Sequence, residues 1–212
     1  MAHAYERRPD AIYQQSFAII RAETDLTRFD AATAAVVVRM IHACGMVDLV
    51  SDIAVSPDFA AAGQAALARG APILCDVEMV KHGIIKRLLG AGNPLVSLIG
   101  TPAVAQRAEA LATTRSAAQV DIWGEQLGGA VVVIGNAPTA LFRLLERLDE
   151  GAPKPGAIIG LPVGFVGAAE SKAELSGNPR GVPFLTVEGR RGGSAMAAAA
   201  LNGLAAGLEG HG

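Results

Sequence analysis

The run Gly128-Gly-Ala-Val-Val-Val-Ile134 contains no polar residue and carries three valines in a row. A short β-branched run that is apolar on both faces is the pattern of a strand inside a parallel sheet, where crossover helices cover each side. It leads within three residues into 137–148, a helical segment. The same alternation recurs along the chain. Strand character is read at 51–56, 72–77, 94–99, 156–161 and 183–187, and helical character at 10–24, 30–45, 60–69, 78–89, 103–113, 166–175 and 194–208. This predicts an α/β fold, a three-layer α/β/α sandwich around a mostly parallel sheet, in a single domain over 1–212 with frayed ends at 1–8 and 209–212. In such sheets ligands bind beyond the carboxyl ends of the strands, so the loops there are the place to look for chemistry.

Composition removes several classes of function. A net charge of -2, a pI near 6.1 and 4% aromatic residues give no basic surface and few stacking platforms, so no nucleic-acid partner is expected. Every apolar run is broken short of the roughly 18 residues a membrane helix needs, and the N-terminal residues lack the apolar core of a signal peptide. No membrane association and a cytoplasmic location are expected. Cys44 and Cys75 have no CxxC or Cys/His spacing and are read as reduced core residues. No HExxH, GxSxG, GxGxxG or GxxxxGK[ST] pattern is present, so neither a metal nor a nucleotide cofactor is expected.

The titratable group of most interest is His42. It lies near the end of 30–45, which opens with Asp30, a good N-cap, and closes with Gly45, suited to a left-handed C-terminal residue. Apolar residues surround this helix, which predicts that other elements enclose it. The negative end of the helix dipole favours an imidazolium at position 42, whereas burial disfavours it. His42 is therefore either a general acid or a packed core histidine. Ser16, between the apolar stripes of the first helix, is either a satisfied core hydroxyl or a pocket-facing group.

Five loops complete the candidate site. Asp76 ends one strand and is expected to cap the helix after it. Arg115 stands near a helix start, as a two-pronged carboxylate clamp or as a solvated side chain. The Gly135-Asn136-Ala-Pro138 turn opens a helix with its backbone donors outward, the make-up of an anion site. Gly160–Gly167 and Arg190-Arg191-Gly192-Gly193-Ser194 bring glycines, and paired arginines in the second case, to further helix starts. Together these loops describe a pocket floor built from helix N-termini, with Asn136, Gly193 and Ser194 as candidate contacts.

Six stretches, in this order and spacing, resemble the precorrin-8X methylmutase family. They are Ser16-Phe17 with Ile20-Arg-Ala-Glu23, Met40-Ile-His-Ala-Cys-Gly45, Asp76-Val-Glu-Met-Val80, Thr114-Arg-Ser-Ala-Ala118, Ile134-Gly-Asn-Ala-Pro-Thr139 and Gly160-Leu-Pro-Val-Gly-Phe-Val166. The resemblance implies an isomerase of cobalamin biosynthesis that moves a methyl group from C11 to C12 of a tetrapyrrole, precorrin-8X. The product is the corrin hydrogenobyrinate, and no added cofactor is implied. It further implies that His42 protonates a ring nitrogen to assist a [1,5] migration, that Ser16 and Arg115 contact substrate, and that the active site lies at the interface of a homodimer. Two rival readings stand beside it: a tetrapyrrole-binding protein without catalysis, in which His42 is merely packed, and a nucleotide-dependent oxidoreductase, which the missing fingerprint disfavours.

Overall fold

A computed structural model of the chain describes His3 and residues 5–208; the frayed end expected at 209–212 lies outside them. Six strands, β1 (Ile53–Val55), β2 (Ile73–Cys75), β3 (Leu95–Val96), β4 (Val131–Ile134), β5 (Ala157–Gly160) and β6 (Phe184–Val187), form one sheet in the order β1-β6-β5-β4-β2-β3. All neighbours are parallel except β1 and β6.

Successive side chains of a strand point to opposite faces, and both faces here are apolar. Ile73, Cys75, Val131, Val133 and Ile159 pack into one core cluster, while Leu74, Val132, Ile134 and Ile158 pack into another. The first cluster is covered by α2 (Ala31–Cys44), α3 (Phe59–Ala68), α4 (Glu78–Gly83) and α9 (Ser194–Leu208), with α1 (Pro9–Glu23) laid against α2. The second is covered by α6 (Arg115–Trp123), α7 (Pro138–Asp149) and α8 (Ala168–Gly177), and α5 (Pro102–Ala110) packs beside α6. The expected three layers are therefore present.

Both ends of α2 are as the sequence predicts. The Asp30 carboxylate accepts the N–H groups of Ala32 and Thr33 at 2.9 Å each, and Gly45, at φ 71°, donates its N–H to the Ile41 carbonyl at 2.7 Å. Small residues let α9 lie close against α2: a Cβ on Gly203 would stand 2.8 Å from Val36 Cα.

Two local expectations change, and the helix start expected near Arg115 opens a full helix. The helix expected over 78–89 stops at Gly83, because the Asn202 side chain replaces its next turn: it accepts the Ile85 N–H at 2.8 Å and donates to the Gly83 carbonyl at 3.0 Å. A full helix, α6, starts at Arg115, capped by Thr114, whose hydroxyl accepts the Ala117 N–H at 3.1 Å. The strand expected over 51–56 shrinks to 53–55, because 47–52 winds into a 3-10 helix. That strand is also reversed. Ile53, at the start of β1, pairs with Val187 at the end of β6, so the 45–52 segment and the C-terminal end of α2 arrive at the carboxyl edge of the parallel strands.

Candidate active site

On α1, Tyr13, Ser16 and Phe17 are three and four residues apart and so share a face, which meets the end of α2. Tyr13 and Phe17 flank the His42 ring at centroid distances of 5.2 and 5.4 Å, the second edge-to-face at 84°. Ser16 Oγ lies 2.8 Å from His42 Nδ1. Of the two readings of Ser16, the structure thus selects the pocket-facing one. His42 itself is solvent-exposed, which corrects the expectation of an enclosed helix. The buried side of α2 is carried by Val36, Val37, Val38, Met40 and Ile41, and its last turn opens at His42.

His42 and Ser16 border an open cleft of about 400 Å³ whose other walls include Ile12, Ile19, Ile41 and Val47. A second, apolar hollow of about 270 Å³ lies over Met46, Val163, Phe165 and Met196. Gly45 and Val47 line the first and Met46 the second, so the two adjoin across one turn of chain.

Asp76 does not cap the helix that follows it, contrary to the sequence expectation. Its wholly buried carboxylate accepts the N–H groups of Gly135 at 3.0 Å and of Asn136 and Ala137 at 2.8 Å each, at the start of α7. The anion site expected there is filled by the protein's own carboxylate. Burial pushes the Asp76 pKa upward while the three donors pull against it. Asn136 keeps an exposed side chain, and Arg115, the first residue of α6, is also exposed. A 2.8 Å contact between the Thr114 and Thr139 hydroxyls ties the starts of α6 and α7 together, so Arg115 and Asn136 share one rim. Gly135 packs directly on the backbone of Ser194, where α9 begins; Ser194 is buried and Gly193 half-buried. All six predicted residues therefore collect at the carboxyl edge, as a Ser16–His42 pair and a separate rim of Arg115, Asn136, Gly193 and Ser194.

The loops after β5 and β6 are zipped to each other. Gly193 donates its N–H to the Leu161 carbonyl at 2.8 Å, Gly164 donates to the Arg190 carbonyl at 3.2 Å, and a Cβ on Gly192 would collide with the Leu161 and Pro162 carbonyl oxygens. Gly192→Ala is therefore expected to cost about 1–3 kcal/mol, lowering Tm by a few degrees, with calorimetry as the check; an unchanged Tm would mean that the loops part freely. The paired arginines are not both available to a ligand. Arg191 pairs with Asp48 at 2.8 Å and with Asp52, whereas Arg190 is exposed and lies 5.2 Å over the Phe165 ring.

Lys172 escapes the sequence reading, because Glu170-Ser-Lys-Ala-Glu174 looks like a solvated helix face. It is wholly buried, and its Nζ donates to the Arg191 carbonyl at 2.5 Å. Burial pushes its pKa down to about 8, opposed by the nearby Asp52. The ammonium thus costs roughly 3 kcal/mol of stability at neutral pH, a cost that fades as pH rises from about 8 toward the ordinary lysine value. Cys44 is half-buried and Cys75 buried, both free, with burial raising each thiol. Among the described residues no group of three His, Cys, Asp or Glu is placed to hold a metal ion, and no helix is long and apolar enough to cross a membrane.

One imidazole in contact with a hydroxyl stands beside an apolar cleft at the carboxyl edge of the sheet, the place of the ligand site in an α/β enzyme. The chain belongs to the precorrin-8X methylmutase family, whose model matches residues 11–206. It is 57% identical over 201 residues to the precorrin-8X methylmutase of Sinorhizobium sp., covering 95% of this chain and 96% of that one. The enzyme of the same name from Pseudomonas aeruginosa is also 57% identical, over 95% of this chain and 97% of its own. Among solved structures, precorrin-8x methyl mutase from Thermus thermophilus superposes with a TM-score of 0.85 at 37% identity, covering 95% of this chain and 98% of that one.

Proposed function

We propose that this protein isomerises precorrin-8X to hydrogenobyrinate in cobalamin biosynthesis, moving the methyl group on C11 to C12, with His42 as the proton donor. The observation that carries the reading is the 2.8 Å contact between Ser16 Oγ and His42 Nδ1 at the edge of the cleft. With the imidazole protonated, Nδ1–H donates to the serine oxygen, which leaves Nε2–H to donate to a ring nitrogen of the tetrapyrrole. The cationic π-system then lowers the barrier to the [1,5] shift: the C11–CH3 bond breaks, the C12–CH3 bond forms, and the proton returns to Nε2. Such a reaction needs little beyond binding in the right geometry and one placed proton.

The rest of the edge suits a large apolar ring bearing carboxylates. Ile12, Ile19 and Val47 supply apolar wall, Arg115 a planar two-pronged partner for a carboxylate, and Asn136 an amide on the same rim. Gly193 and Ser194 form floor, touching substrate through backbone and hydroxyl. Ile12, Tyr13 and Ile19 are 45%, 49% and 48% exposed beside the open cleft, and we assign their covering to the second subunit of a homodimer. The test is the absorption spectrum of the purified protein mixed with precorrin-8X, with sedimentation to read the oligomeric state. Conversion to the corrin spectrum is expected; a spectrum that stays that of precorrin-8X removes the proposal.

A further inference from the structure

We infer that Lys172 is a positioning residue that holds the glycine loop after β6 in the shape that receives the substrate; the inference rests on the methylmutase reading above. A buried lysine is an expensive way to fill space, since a methionine would pack there without giving up the hydration of an ammonium. Its hydrogen-bond acceptor explains its presence. The Arg191 carbonyl belongs to the loop that carries Gly192 and Gly193, and α8 begins just after the partner loop zipped to it. The Arg191 side chain in turn grips Asp48 and Asp52, in the segment that leaves the His42 helix. Lys172 therefore lies at the point where the floor of the rim and the His42 end of the cleft are tied together.

The charged groups facing it are few. Asp52 acts on it directly, and Arg191 binds both Asp52 and Asp48. Glu170 and Glu174 of its own helix are exposed, and the buried residues of α7, β5 and β6 packed around α8 are uncharged. Loss of the Lys172 proton near pH 8 weakens the charge-assisted bond to the loop without touching His42.

The experiment is steady-state turnover of precorrin-8X by the full chain, as wild type, Lys172→Met and Lys172→Arg, from about pH 7 to about pH 9.5. Lys172→Met is expected to raise KM about tenfold with kcat changed less than about threefold, and Lys172→Arg to recover most of the loss. Wild-type KM is expected to rise above pH about 8, and Lys172→Arg, charged throughout, to lose that rise. If the wild type turns over and Lys172→Met keeps KM within about twofold of it, this inference alone falls. If Lys172→Met does not fold, the wild-type profile decides, and a KM flat across the range overturns the inference. A wild type that converts nothing takes down the methylmutase reading and this inference with it.

Discussion

His42→Ala is expected to bind the tetrapyrrole about as well as wild type while kcat falls about a hundred- to ten-thousand-fold, the usual worth of a placed general acid. The assignment predicts this split because the imidazole gives its proton to the tetrapyrrole after binding, on the way to the transition state, and a group that acts on that step lowers kcat without raising KM. Exposure of His42 at the end of α2 makes the result readable. Its exposed ring packs against Tyr13 and Phe17 on one face of α1, so its loss leaves the core untouched and the fold close to wild-type stability. Ser16→Ala should fall between the two, since it frees the ring without removing it. The check is a titration with hydrogenobyrinate for binding, beside the spectral assay for turnover. Wild-type turnover by His42→Ala would end the assignment.

Asp76→Ala is expected to have the largest effect on stability, about 3–5 kcal/mol, seen as a fall in Tm on the order of 10 °C. The substitution removes one side chain but strands the N–H groups of Gly135, Asn136 and Ala137 in a dry interior. Asp76→Asn should not rescue it, because one of its two terminal groups would then point a donor at donors. Thermal unfolding is the measurement, and a Tm within about 2 °C of wild type would show that water replaces the carboxylate freely.

Asp76 also shows where sequence reading stops. Helix starts and ends are local, so Asp30 and Gly45 could be matched to their roles from their neighbours alone. The buried runs of β4 and β5 were equally plain, because cover on both faces leaves no position for a polar residue. An aspartate just before a helix looks like that helix's cap, yet the donors it serves lie 59, 60 and 61 residues further on. The break at Gly83 likewise depends on Asn202, 117 residues beyond the N–H it accepts and 119 beyond the carbonyl it donates to, more than half the chain later. Lys172 gives no local sign at all: only the fold puts it inward, toward Arg191. At His42 the sequence misleads about the surroundings, since apolar periodicity tells which residues avoid water but not which turn of a helix outruns its cover.

The two strands at the margins of the sheet, β3 with two residues and β1 with three, bear on how copies of this chain can meet. A margin that short offers a neighbour only a few free backbone groups, too little to zip two sheets into one. Short margins disfavour association of two chains by sheet extension and leave it to side-chain surfaces outside the sheet. The fold thus resists open-ended fibre growth while leaving a closed pair available.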